Sequence, residues 1–206
     1  MLVALLAMGG SASSACGNLT VGGFGEVTVA VSGDAPDSAP TAPVRPQTTI
    51  LESPASRSGS SEESELEGRV ELEFEIFLVL ESGGTLRLGD DEFRVSVDLR
   101  GRTEVKAVEG QLVPATRYTG LQVVFKEIRA EVEGLVVGGV PIREVRVEID
   151  DTALLVTRSL ELMVVEGQTV ELLADLNSLA WLAAVDPLTA TVDEAVFAAL
   201  FDVVVR

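Results

Sequence analysis

Residues 69–80 read RVELEFEIFLVL. Val70, Leu72, Phe74, Ile76, Leu78 and Leu80 fall on one side of an extended chain, and Arg69, Glu71, Glu73 and Glu75 on the other. Successive side chains of a strand point to opposite faces, so this period of two marks a strand with one buried face. The outer side turns apolar at Phe77 and Val79, which predicts cover on both faces at that end. The same alternation runs through FRVSVDL (93–99), VRVEI (145–149), LELMVV (160–165) and TVELLADL (169–176), and EVTVAV (26–31) supplies a first strand. Turn-forming groups separate these runs, among them Gly83-Gly84, Gly89-Asp90-Asp91, Gly138-Gly139 and Glu166-Gly167.

One stretch breaks phase. Leu121, Val123 and Phe125 alternate on one parity, and Ile128, Ala130 and Val132 on the other. A straight strand cannot turn both sets inward, because a one-residue slip flips every side chain. A bulge or sharp bend near Lys126-Glu127 is therefore predicted. Near the end of the chain, Thr191-Val192-Asp193-Glu194 fits a helix capping box, and Val192, Val196, Phe197, Leu200 and Phe201 share one helical face. The expected helix covers roughly 192–201. Around eight strands with no long helices between them predict an all-β fold, an antiparallel β-sandwich of immunoglobulin- or transthyretin-like type with a short C-terminal helix.

The chain has 206 residues, 33 acidic and 15 basic side chains, no histidine and one cysteine. A net charge of −18 argues against nucleic acid, whose binding needs Lys and Arg to displace counterions. Without histidine the commonest general base and metal ligand is missing, and one cysteine forms neither an internal disulfide nor a thiolate cluster. No cofactor and no metal are expected.

Met1 to Met8 is an apolar run, followed by Gly9-Gly10 and small residues that end in Ser13-Ser14-Ala15-Cys16. That order is the pattern of a secretory leader, too short for the roughly 20 residues that a membrane-spanning helix needs. Ser13-Ser14-Ala15-Cys16 resembles the lipobox of bacterial lipoproteins. The resemblance implies cleavage before Cys16 and a diacylglycerol on its thiol. Ser13 departs from the usual leucine, and no basic residue precedes the apolar run. The expected layout is a signal peptide over 1–15, a lipid-anchored N-terminus and first strand over 16–32, an insert over 33–66 and the sandwich body over 67–206. The insert holds Pro36, Pro40, Pro43, Pro46 and Pro54 and the run Ser60-Ser61-Glu62-Glu63-Ser64-Glu65. It buries too little to offset its ordering entropy, which predicts a disordered, extended segment, either a spacer between the anchor and the body or simply a solvated loop inserted after the first strand.

Three further pieces, GEVTVAVSGDAP (25–36), VPATRYTGLQVVF (113–125) and VELLADLNSLAWL (170–182), are similar to a family of bacterial lipoproteins known only as a domain of unknown function. That family opens with a strand and an Asp-Ala-Pro turn, carries a Pro and Tyr-Thr before its central strand, and closes on a strand ending in Asp and Ser. The resemblance covers about 25–182. It implies a β-rich domain at the cell surface or in the periplasm and no activity. In physical terms, Asp34-Ala35-Pro36 ends a strand. Tyr118 lays its ring on the core with its hydroxyl wet or bonded to a carbonyl, and Asn177-Ser178 caps the turn after the last strand.

Chemistry is sparse. Glu71, Glu73 and Glu75 stand about 7 Å apart along one face, a spacing open to a glycosidase pair but also ordinary for a solvated strand. Asp90-Asp91-Glu92 and Asp150-Asp151 offer oxygen ligands for calcium without the spacing of a known loop, and turn formation explains them better. A serine nucleophile has only Lys106 and Lys126 as bases, with no nucleophile motif before either. Gly22-Gly23-Phe24-Gly25 lacks the helix and lysine of a phosphate loop. Trp181 fits a core plug better than a sugar platform. The expectation is a non-catalytic envelope protein, held to a membrane by lipid on Cys16, that serves adhesion, structure or ligand binding with an unspecified envelope protein or glycan as partner. The alternatives are a carbohydrate-active envelope enzyme built on Asp/Glu pairs and an assembly subunit with an uncovered apolar patch.

Overall fold

The computed structural model describes residues 22–34, 66–100, 103–150 and 152–206. In chain order the elements are β1 (Phe24–Ser32), β2 (Glu67–Leu80), β3 (Thr85–Asp98), β4 (Val105–Pro114), β5 (Arg117–Glu133), β6 (Val136–Val137), β7 (Val140–Pro141), β8 (Glu144–Glu148), β9 (Leu154–Met163), β10 (Thr169–Asp175), α1 (Ser178–Leu182), β11 (Thr191–Asp193), α2 (Glu194–Leu200) and β12 (Asp202–Val205). One sheet has the order β12-β10-β1-β4. The other runs β11-β8-β5-β2-β3, with β9 also paired to β5. The two sheets enclose one apolar core, and the expected sandwich with a short C-terminal helix is what the chain adopts.

The alternation in 69–80 acts as read. Val70, Leu72, Phe74, Ile76 and Leu78 are buried, and the intervening residues of β2 are half-buried or exposed. Phe77 and Val79 do not gain full cover; both stay half-buried, with Phe77 opposite Arg87 and Gln122. The predicted bulge in β5 is present. Glu73 pairs with Glu127 and Phe74 with Phe125, so Lys126 is the extra residue and the register shifts there. Phe125 and Ile128 are thereby both buried, while Lys126 and Glu127 face water. Gly89-Asp90-Asp91 does not separate two strands. Phe74 pairs with Phe93 and Ile76 with Leu88, leaving 89–92 as an outward excursion within the single strand β3.

Most strand pairs are antiparallel, and two differ from the expected pattern. β1 runs parallel to β10, and β11 parallel to β8. A parallel pair cannot be a hairpin and needs a long connection, and most of the chain lies between β1 and β10. Helix formation begins later than the capping box implied. Thr191 and Val192 lie in β11, and Asp193 is the N-cap, its carboxylate accepting from the Ala195 amide at 2.7 Å. The far end of α2 is capped by side chains remote in sequence. Arg158 donates to the carbonyls of Ala198 and Phe201, and Asn177 Nδ2 donates to the Leu200 carbonyl at 2.6 Å. These bonds occupy carbonyls that a helix terminus leaves without partners.

An aromatic chain fastens this helix to the core. Phe125 meets Phe74 at 5.8 Å, Phe197 at 5.2 Å and Phe201 at 5.4 Å between ring centroids, and Trp181 meets Phe197 at 5.9 Å. The edge-on geometry of the Phe125 contacts with Phe197 and Phe201 is the favoured one for ring quadrupoles. Deleting Lys126 forces either Phe125 or Ile128 outward, so the deletion variant is expected to lose its cooperative unfolding transition. Lys126→Ala removes only an exposed ion pair with Glu92 and should shift stability by less than about 1 kcal/mol. Urea denaturation of both variants checks this.

Candidate functional site

The sandwich has two distinct ends. At one, the chain enters β1: the Ala115 amide donates to Gly23, the Gly167 amide to Phe24 and the Val164 amide to Thr116. The β4–β5 corner is locked there by Tyr118, fully buried, whose hydroxyl donates to the Pro114 carbonyl at 3.0 Å. Of the two expectations for that hydroxyl, the bonded one holds, in the manner of a tyrosine corner. Burial raises its pKa. The nine residues of β1 then carry the chain about 30 Å to the opposite end.

At that far end the chain leaves at Asp34 and re-enters at Leu66, and both points sit on one corner. A Cβ on Gly33 would lie 2.0 Å from the Asp98 carbonyl oxygen, and one on Gly68 2.0 Å from that of Glu131. The Leu99 amide donates to Gly68, and Arg100 Nε donates to Leu66 at 2.9 Å. Because β1 is hydrogen-bonded on both sides before the insert begins, residues 33–66 cannot space the body from an anchor at Cys16. The spacer expectation is corrected, and the described ends fit the other one, a loop inserted after the first strand that leaves β1 and enters β2 at the far corner.

The same corner brings together two of the sequence pieces. Ser32 and Asp175 are register partners in the parallel β1–β10 pair, so their side chains share the outer face of that sheet. Both are fully buried. Asp175 accepts from the Asn177 amide at 3.1 Å, and the Ser178 amide donates to Gly33 at 2.7 Å. Asn177 adopts a left-handed conformation at φ 48°, which turns the chain sharply from β10 into α1. Its side chain leaves its own turn and caps α2, so the expected local cap is replaced by a tertiary one. Asp34 is half-buried, and its pKa lies above the ordinary 3.8, first through burial and then through the negative charge of Asp175. Ser32 Oγ, Ser178 Oγ and Trp181 Nε1 are buried without hydrogen-bond partners.

The residues weighed in the sequence occupy other places. Cys16, the leader and most of the insert lie outside the described residues, as do Ala35, Pro36 and Asp151. Glu71 is ion-paired with Arg69 and Arg129, Glu73 with Arg94 and Glu75 with Arg87. Hydrogen bonding to Arg94 holds Glu73 below the usual carboxylate range. Two shallow depressions on this face are lined by Glu, Asp, Arg, Ser, Leu and Val and by no aromatic residue. Lys106 is paired with Glu109, which raises its pKa, and Lys126 with Glu92. Asp90, Asp91 and Glu92 form the β3 excursion, and among the described residues no three His, Cys, Asp or Glu side chains converge as metal ligands. Trp181 is fully buried, a core plug with no face for a sugar. Gly23 and Gly25 belong to the entry of β1, where a Cβ on Gly25 would meet the Val165 carbonyl oxygen at 2.5 Å.

The burial of Ser32 and Asp175 was missed from sequence. Its signal was weak: Ala30 and Leu173, apolar at outward-phase positions, are likewise buried on that face. The void between the sheets is about 10 Å³, apolar throughout, and holds no ligand-sized space. No family model, no curated protein and no solved structure matches this chain.

An acid whose folded pKa is raised binds its proton more tightly in the folded state. Stability therefore falls as pH rises from below 3.8 through the folded pKa of Asp34. In chelator-treated buffer, Asp34→Asn should gain on the wild type between about pH 3 and 7, read as urea midpoints. A pH-independent difference between the two would sink the assignment.

Proposed function

We propose that this chain is a non-catalytic bacterial envelope protein, exported, anchored by lipid on Cys16, and built to present the far end of a β-sandwich for adhesion, structural or ligand-binding contact. The lipobox-like Ser13-Ser14-Ala15-Cys16 and the similarity of three segments to an uncharacterised lipoprotein family are the sequence support. The observation that carries the reading is the polarity of β1. Its first residue lies eight positions after Cys16, and its last opens the connection to β2 at the opposite end of the body.

Two features support contact at the far end. Val136 and Val140, in the β6–β7 hairpin beyond β5, are 61% and 46% exposed, and Leu188 is 93% exposed. A Cβ on Gly138 would lie 3.9 Å from Pro187, so the hairpin and the Leu188 turn adjoin. The strand faces carry Glu–Arg pairs rather than carboxylates poised for proton transfer, and Glu73, with its lowered pKa, is the reverse of a general acid. That weighs against the carbohydrate-active alternative. A charge of −18 repels anionic headgroups and favours a body standing off the membrane.

The test is metabolic labelling with a fatty-acid probe in a bacterial host. The wild type is expected to take up the acyl label and to partition into the membrane fraction, and Cys16→Ala to lose both. Equal labelling of the two forms, or of neither, refutes the anchor.

A further inference from the structure

We propose that the free edge of β9 pairs with β9 of a second copy of this chain, antiparallel, about a two-fold axis at Ser159. β9 bonds β5 along one side, and among the described residues no strand bonds its other side. The remaining sheet edges carry the usual protection against such pairing. β3 is interrupted by the exposed Asp90, Asp91 and Glu92 of its excursion, β4 carries Lys106 and ends in Pro114, and β11 and β12 have only three and four residues. β9 has ten residues and no proline, glycine or lysine among them. Its odd-numbered side chains, from Leu155 to Met163, are all exposed, and its even-numbered ones are buried or half-buried. Leu155 and Met163 are 57% and 59% exposed. Both charges of the strand are already engaged: Glu161 pairs with Arg117 at 3.1 Å, and Arg158 bonds the carbonyls of Ala198 and Phe201.

The residues of the strand select a second copy as the occupant. Paired antiparallel with itself, a strand makes the isologous contact of a two-fold dimer. A centre at Ser159 sets Leu155 against the partner's Met163 and Thr157 against the partner's Glu161 on the outer face. On the inner face it sets Val156 against the partner's Leu162 and Arg158 against the partner's Leu160. The two exposed apolar residues cover each other, and no like charges meet. A centre at Arg158 would oppose two arginines and one at Glu161 two glutamates, and like charges directly opposite are destabilising. A centre between two residues would mix the faces. The register shift against β5, where Leu160 and Glu161 stand opposite Thr119, leaves the alternation of β9 itself unbroken. The Met163 end of β9 lies at the pole where β1 begins, since the Val164 amide donates to Thr116 there. Antiparallel pairing therefore sets that pole of one copy beside the far pole of the other. Where both copies carry the proposed lipid on Cys16, a reading on which this consequence alone rests, they stand on facing membranes and the contact is adhesive.

Sedimentation velocity of the purified full chain tests this, with Cys16→Ala in every sample so that neither lipid nor thiol contributes. A single strand pair is a small interface of the weak class, so the dimer should grow in between micromolar and near-millimolar protein. Salt should strengthen it by screening the repulsion between two bodies of charge −18. Ser159→Lys places a charge on the two-fold axis and should weaken association at least about fivefold, while Ser96→Lys on β3 should leave it intact. Both positions are exposed, and urea midpoints check that both variants fold. Directly opposed residues of antiparallel strands stand about 4.5–5.5 Å apart between Cα atoms, within disulfide reach. Ser159→Cys should therefore cross-link to its own copy on mild oxidation, and Thr157→Cys, opposite the partner's Glu161, should not. A chain with unaltered β9 that stays monomeric throughout overturns the pairing. So does association that survives Ser159→Lys, or Thr157→Cys linking as readily as Ser159→Cys.

Discussion

The extra residue at Lys126 is the constraint on which the interior depends. Without it, β5 could bury Leu121, Val123 and Phe125 or Ile128, Ala130 and Val132, but not both sets. With it, one 17-residue strand lines the whole depth of the core. Phe125, just before the shift, then becomes the hub of the aromatic contacts that reach Phe74 on β2 and Phe197 and Phe201 on the C-terminal segment. The helix α2 is short and carries a single fully buried residue of its own, Phe197. Its place is secured from outside, by these rings and by Arg158 and Asn177 on its terminal carbonyls.

Sheet edges are handled by charge. Arg206 follows β12 at one edge of the four-stranded sheet and Glu104 precedes β4 at the other, and their two 2.9 Å bonds tie the edges together across the outer face. That is the face on which Ala30 and Leu173 are buried. A bidentate Arg–carboxylate pair has the geometry that makes a surface ion pair count. On the opposite sheet, Arg87, Arg94 and Arg129 each bond a glutamate of β2, so a strongly acidic chain places its few cations where carboxylates crowd most. Arginine outnumbers lysine thirteen to two, and its rigid fork suits this role.

The direction of β1 links fold to presentation. Its entry is enclosed by the β4–β5 corner and the turn before β10, and its exit lies against the end of β10 and the end of β3. Residue 22 and the pair Asp34 and Leu66 thus lie at opposite poles. Pairing β1 in parallel with β10 has a second effect. It aligns the two strand ends, Ser32 with Asp175, and so sets two buried polar side chains next to each other at that corner.

Local rules were enough for much of this. A period of two in 69–80, 93–99, 145–149 and 169–176 reports burial because the pleat alternates, and the parity change at Lys126-Glu127 reports a bulge for the same reason. The solitary Tyr118 and Trp181 were legible as core residues, Tyr118 with a hydroxyl to place. Other features depend on residues far apart in sequence. The pairing of Ser32 with Asp175, the meeting of Gly33 and Gly68 at one corner, and the capping of α2 by Arg158 leave no periodic trace, because each contributes one position rather than a pattern. For Asn177 the local rule was misleading: its side chain could satisfy its own turn or the Leu200 carbonyl, and only the packing of α1 beside α2 chose between them.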